Sequence, residues 1–157
     1  IKEKLVKQVL ILDLDVHQGD GTIDICHKYS SIYTFSMHSE TNFPYDKKKG
    51  WMDIGLPSHI EDHEYLNKLE ETLEKIKQHI TPDIVLYDAG VDIFQDDKLG
   101  NLQVSLEGIR QRDLMVLNHY RKLNTPVATV IGGGYSKDKE ELAKRHSIIF
   151  ETAIKYL

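Results

Sequence analysis

At 157 residues with 40% hydrophobic content, the chain has the size and composition of one domain with a substantial core. A net charge of −5 excludes a broad phosphate-binding surface, which rests on clustered Lys and Arg, and the Lys47–Lys49 run is too short to reverse that. No stretch reaches the roughly 18 uninterrupted apolar residues of a membrane span, and the single cysteine, Cys26, rules out an internal disulfide and a cysteine-rich metal site. The opening Ile1-Lys2-Glu3-Lys4 lacks the apolar segment of a signal peptide, so a cytoplasmic protein is expected, or a nuclear one in a eukaryote. The chain starts without an initiator methionine and close to its first apolar run, which reads as a piece of a longer protein.

Apolar and aromatic residues concentrate first at Val9–Leu14 and then at Ile32–Met37, both runs of strand length and composition. Cys26 falls between them in a segment of helical character, where neighbouring His27 does not share its face. Within Glu61–His79, the residues Tyr65, Leu66, Leu69, Leu73 and Ile76 recur at helical spacing, and Pro82 ends that helix. Ile84–Tyr87 reads as a third strand. Ser105 can cap a helix running to the neighbourhood of Leu123, with Ile109, Val116, Tyr120 and Leu123 on one face. Val127–Ile131 is a fourth strand. Asp138 or Ser136 then caps a last helix whose buried stripe is Leu142, Ile149, Ala153 and Leu157, leaving Lys137, Glu140, Lys144 and Glu151 in water. Strands alternating with long helices predict an α/β fold with a parallel sheet covered on both faces. No internal repeat, low-complexity tract or linker divides it.

Ligand sites in such sheets gather just beyond the carboxyl ends of the strands. Each strand here delivers polar residues to that edge: Asp13, Asp15 and His17 after the first, Ser36 and His38 after the second, Asp88 and Asp92 after the third, Gly132–Gly134 and Tyr135 after the fourth. Positions i, i+2 and i+4 of an extended chain point one way, so Asp13, Asp15 and His17 are expected on one side of the first strand end. Three such groups suggest a cation. A catalytic zinc takes three N or O ligands and keeps a position open, and Asp92 can complete the set from a neighbouring strand. The bland alternative is one capping acid among solvated ones. The other motifs read plainly: His38 as structural, Cys26 as inert, Asp96-Asp97 as a solvated rim, and Lys47–Lys49 as a flexible, exposed loop. Ile131-Gly132-Gly133-Gly134-Tyr135 lacks the Lys-Ser/Thr ending and the spacing of nucleotide-binding glycine loops.

The stretches Asp13-Leu14-Asp15-Val16-His17-Gln18-Gly19-Asp20-Gly21-Thr22, Asp88-Ala89-Gly90-Val91-Asp92 with Asp96-Asp97-Lys98-Leu99-Gly100, and Gly132-Gly133-Gly134-Tyr135 resemble, in order, the motifs of the histone deacetylase family. Glu64-Tyr65-Leu66, the Asp96–Leu102 segment and the Gly-Ile-x-x-Arg-Asp run ending at Asp113 resemble class IV and related bacterial members. The resemblance implies a three-layer α/β/α sandwich with a mainly parallel sheet, the arginase/deacetylase fold, of which residues 1–157 would form the C-terminal part of a single catalytic domain. It implies Asp15, His17 and Asp92 as ligands of zinc, with iron(II) the alternative, and Tyr135 as the catalytic hydroxyl. Asp13 would order a histidine and, with the hydroxyl of Ser36 and the backbone carbonyls of Asp15, His17 and Met37, hold potassium. Phe43 would line an acyl-lysine tunnel, with Gly133 and Gly134 beside the substrate. The family's base is a pair of adjacent histidines. None of the eight histidines here is adjacent to another, so those are expected upstream.

The activity so implied is metal-dependent hydrolysis of an N-acetyl-lysine amide, on a protein or a small acetylated amine, with neither nucleic acid nor membrane as partner. Two readings compete: another amidohydrolase of the same architecture, acting on acetylpolyamines or through a binuclear ureohydrolase-like centre, and a non-catalytic acyl-lysine-binding module. A second Asp-x-Asp pair, which a binuclear centre requires, is missing, since Asp88 and Asp92 are four apart and Asp96-Asp97 is contiguous. Oligomeric state is not legible in the residues.

Overall fold

The computed structural model describes residues 1–155. Its elements are β1 (Val9–Asp13), α1 (Asp20–Cys26), β2 (Ile32–Ser39), β3 (Met52–Leu56), α2 (Asp62–His79), β4 (Ile84–Asp88), α3 (Leu106–Lys122), β5 (Val127–Val130) and α4 (Lys139–Ile154). All five strands are parallel, in the order β3-β2-β1-β4-β5. The four strands expected from sequence are present with ends shifted by one or two residues. The fifth, β3, was not expected: Met-Asp-Ile-Gly-Leu is short, contains glycine, and sits at the sheet edge, where only Leu56 is buried.

Helix boundaries follow their caps. Ser105 Oγ accepts from Gly108 N at 3.0 Å, and Asp138, rather than Ser136, caps α4 through Glu140 N and Glu141 N at 3.0 and 3.1 Å. Of the expected α4 stripe, Ile149 is buried while Leu142 and Ala153 are only half-buried; Ile148, Thr152 and Arg145 complete the buried face, and Leu157 lies outside the described residues.

Registered strand residues point to the same face. Leu10, Leu12, Val85 and Tyr87 are buried in the main core beneath the helix layer, in which α3 contacts both α2 and α4. Ile11, Asp13, Thr34 and Ser36 face the other way, toward Thr22 and Ile23 of α1. That short helix covers only the β1–β2 half, so Leu86 and Val130 on the same face remain 42% and 58% exposed.

One buried cation fastens the helix layer to the edge of the sheet. Arg112 of α3, fully buried, donates from Nη1 to the carbonyls of Leu14 and Gly90 and from Nη2 to that of Ala89, while its Nε donates to Asp113 Oδ1 at 2.9 Å. Tyr87 OH donates to the same Asp113 oxygen at 2.5 Å. Those carbonyls belong to the segments that leave β1 and β4, so Arg112 sets how the two chains diverge. Replacing Arg112 by Met would strand a buried Asp113 carboxylate and three carbonyls. We expect a loss of about 3–5 kcal/mol in stability by urea denaturation; an unchanged midpoint would show that the clamp contributes nothing.

Candidate metal centre

The strand order reverses between β1 and β4, since the chain winds outward through β2 and β3 and then returns to the other side of β1. Loops leaving two such strands part in opposite directions and open a crevice at their carboxyl ends. Asp15 and His17 leave β1 into this crevice and Asp92 follows β4.

The turns there are built by aspartates. Asp13 Oδ1 accepts from Asp15 N at 3.0 Å, Asp15 Oδ1 from His17 N at 2.8 Å and Asp88 Oδ1 from Gly90 N at 3.0 Å, each carboxylate bonding the amide two residues on. This corrects the expectation from strand alternation. β1 ends at Asp13, and Asp15 and His17 converge because the chain bends, while Asp13 stays on the sheet face beside Ser36 and Asp88.

Asp15, His17 and Asp92 each offer an atom lying within 4.8 Å of the others, and theirs is the single such group of three among the described residues. His17 Nδ1 is 3.0 Å from Asp15 Oδ1 and 3.1 Å from Asp92 Oδ2. The outer oxygens are already engaged: Asp92 Oδ1 accepts from Val16 N at 2.8 Å and Asp15 Oδ2 from Gly133 N at 2.7 Å. Hydrogen bonds to both carboxylates raise the His17 pKa to about 10. Burial raises Asp92 to about 6, whereas for Asp15 burial is outweighed by the His17 and Gly133 hydrogen bonds and its pKa is lowered. Two carboxylates in a low-dielectric pocket thus draw a positive charge, which the imidazolium proton supplies when no ion does. The donor set fits a divalent cation: two oxygens, one imidazole nitrogen, and hydrogen bonds that fix their orientation.

Tyr135 stands at the mouth, its ring centroid 6.2 Å from that of His17. Burial and the Asp92, Asp15 and Asp97 charges raise its pKa, so the phenol stays protonated as a donor. The glycines before it are dictated chiefly by room. A Cβ on Gly133 would lie 2.0 Å from Asp92 Oδ2 and 2.3 Å from Asp15 Oδ2, and one on Gly132 would lie 1.9 Å from Asp88 Oδ1. A cavity of about 560 Å³ joins His17 and Tyr135 to Phe43, Tyr45, Leu99 and Asn42.

The remaining sequence candidates fall at or outside this crevice. Asp13 and Ser36 line one small cavity with Gly19 and Thr22, and burial followed by the Asp88 charge raises the Asp13 pKa well above the carboxylate range. Ser36 Oγ is 3.0 Å from His38 Nδ1, and the Met37 side chain is fully buried. His38 is buried on β2, outside the triad, and Cys26 is the last residue of α1. Two expectations need correction. Lys48 and Lys49 are exposed as expected, but Lys47 and Lys48 are tethered: Lys47 Nζ donates to the carbonyls of Asn42 and Pro44, and Gln18, itself buried, bonds both the amide and the carbonyl of Lys48. Asp96 is exposed as expected of a rim, but Asp97 is buried and ion-paired with Arg145 at 3.1 Å. Spacing carried a signal for Arg145, which sits three residues after Leu142 and four before Ile149, on the apolar stripe.

Residues 1–151 match the model of the histone deacetylase domain. The chain belongs to the histone deacetylase family. It is 44% identical over 149 residues to an uncharacterized protein of Picosynechococcus, covering 95% of this chain and 50% of that one, and 35% identical to histone deacetylase 2 of Arabidopsis thaliana, covering 84% and 35%. Among solved structures, a deacetylase homologue from Aquifex aeolicus superposes with a TM-score of 0.79 at 25% identity, over 97% of this chain and 43% of that one. The chain thus spans about a third to a half of the length of these relatives. No described helix is long and apolar enough to cross a membrane.

Two measurements test the centre. Below about pH 10 the metal-free site holds the His17 proton, which an entering cation must expel, so apparent Zn²⁺ affinity should rise about tenfold per pH unit from about pH 6.5 to 8. Calorimetric titration in buffers of different ionisation enthalpy reads that proton; pH-independent binding would contradict the assignment. Gly133→Ala should weaken Zn²⁺ binding at least about tenfold, in the range found when ligand-orienting groups are lost, with circular dichroism unchanged.

Proposed function

We propose that the chain supplies the metal cradle and catalytic tyrosine of a deacetylase that hydrolyses the amide of N-acetyl-lysine, in a protein or as a small acetylated amine. Its cradle, Asp15, His17 and Asp92, would hold zinc, or iron(II). The observation carrying this reading is the convergence of those three ligand atoms within 4.8 Å beside the Tyr135 ring. A cation bound there supplies Lewis acidity toward the amide carbonyl and lowers the pKa of water.

The chain's own residues do the rest of the work proposed for them. The Tyr135 hydroxyl donates a hydrogen bond to the amide oxygen as negative charge builds on it, and its raised pKa keeps the proton in place for that task. Phe43, Tyr45 and Leu99, exposed by 61%, 84% and 54%, give the mouth apolar walls suited to the methylene stem of a lysine. Gly133 and Gly134 keep the floor free of side chains. Water adds to the acyl carbon, the C–N bond breaks, and the amine leaves with a proton. The base for that transfer is proposed to come from outside residues 1–157, as is the histidine that Asp13 would order. Asp13 and Ser36, with the carbonyls of Asp15, His17 and Met37, are proposed to hold potassium. The motif likeness supports placement near class IV and related bacterial members. A single triad among the described residues favours one ion over the binuclear alternative.

The test is Tyr135→Phe in the full-length protein, assayed on an acetyl-lysine peptide with zinc supplied. Loss of one donor to the developing oxyanion costs on the order of 100-fold or more in kcat, and metal content should be unchanged. Turnover equal to wild type would remove Tyr135 from the mechanism.

A further inference from the structure

Asp97 lies outside the triad, yet it holds the Tyr135 backbone amide directly. Its side chain is fully buried. Oδ2 accepts from Tyr135 N at 2.7 Å and from Arg145 Nη1 at 3.1 Å, while Oδ1 accepts from Leu99 N at 3.0 Å and Gly100 N at 3.2 Å. Four donors therefore face one carboxylate, and none of its partners is an acceptor. Arg145 is equally buried, stacks over the Phe94 ring at 4.9 Å, pairs with Glu141 at 2.7 Å and donates to the carbonyl of Val91, the residue before Asp92. Lys98 N donates to the Tyr135 carbonyl at 3.4 Å, and a Cβ on Gly100 would lie 1.9 Å from the Asp92 carbonyl, so the loop seats against the ligand-bearing segment.

The geometry points to Asp97 and Arg145 as positioning residues for catalysis: their buried ion pair fixes the Tyr135 backbone, and with it the phenol, relative to Asp92 and the Leu99 wall of the mouth. This rests on Tyr135 being the catalytic hydroxyl. An amide fits such an acceptor-only site poorly, because Asn would turn an N–H₂ toward the backbone N–H of Tyr135 or toward those of Leu99 and Gly100. A misplacement of about 1 Å at a reacting group costs on the order of 100-fold in rate, so the pair acts on kcat without touching substrate.

The experiment uses the full-length, zinc-loaded protein and an acetyl-lysine peptide. Asp97→Asn should lower kcat by about 10- to 100-fold with KM and zinc affinity within about twofold of wild type. Arg145→Lys, which keeps the charge but loses the guanidinium fork, should fall between the two; it carries the test if Asp97→Asn does not fold. In a Tyr135→Phe background neither change should lower the residual rate further, since the group they position is gone. Hydrogen-exchange mass spectrometry supplies a readout independent of turnover: the segment Gly132–Ser136 should lose protection in both variants while β1 and β4 keep theirs. Unaltered kcat, a parallel loss of zinc affinity, losses that multiply with Tyr135→Phe, or unchanged protection of Gly132–Ser136 would each overturn the inference. If Tyr135→Phe alone leaves turnover intact, the proposed function fails first, and the exchange result still decides whether the pair holds this segment.

Discussion

Two carboxylates brought together at the mouth of a buried crevice repel each other, and the centre is arranged around relieving that repulsion. Asp15 and Asp92 share the imidazole of His17, the backbone amides of Val16 and Gly133 bond the remaining two oxygens, and the His17 amide adds a second donor to Asp15 Oδ1. Amides and imidazolium together supply what a cation would supply, but only the imidazolium proton can be exchanged for one. In the proposed centre a divalent ion would enter at the expense of that proton, which would couple its occupancy to pH.

The centre needs its surroundings to stay fixed, and buried arginines perform that task on either side. Arg112 gathers the carbonyls of Leu14, Ala89 and Gly90, tying the exits of β1 and β4 to α3. Arg145 reaches from α4 to Asp97 and the Val91 carbonyl, on the far side of Asp92. Both are buried cations with buried acidic partners, an arrangement that adds little net stability over an apolar one but penalises any other geometry heavily. Where three segments from distant parts of the chain must agree to within a fraction of an ångström, that penalty is useful.

Glycine serves the same end by having no side chain. Gly133 packs its Cα against both ligand carboxylates, so the segment leading to Tyr135 lies directly on the cradle. Tyr135 is therefore placed by backbone contact with the Asp15 and Asp92 carboxylates on one side and by the Asp97 carboxylate on the other. The exposed strip of Leu86 and Val130 on the opposite sheet face belongs to the half that α1 leaves uncovered.

Local order was legible in the residues. Helical spacing marked α2 and α3, Ser105 and Asp138 announced their own helices, and the strand-end acids, with the family motifs they form, pointed to a metal centre near Asp15, His17 and Asp92. Those signals are local because hydrophobic periodicity and capping act over a few positions. Other features were decided only by the assembled fold. β3 forms because an edge lay open beside β2, which five residues containing a glycine do not advertise. Asp97 was indistinguishable from exposed Asp96 in sequence, since only the packing of α4 brings Arg145 and the Tyr135 amide to one of the pair. The crevice itself exists because β4 returns to the side of β1 opposite β2, a long-range choice that sets Asp92, 75 residues from His17, within hydrogen-bonding distance of it.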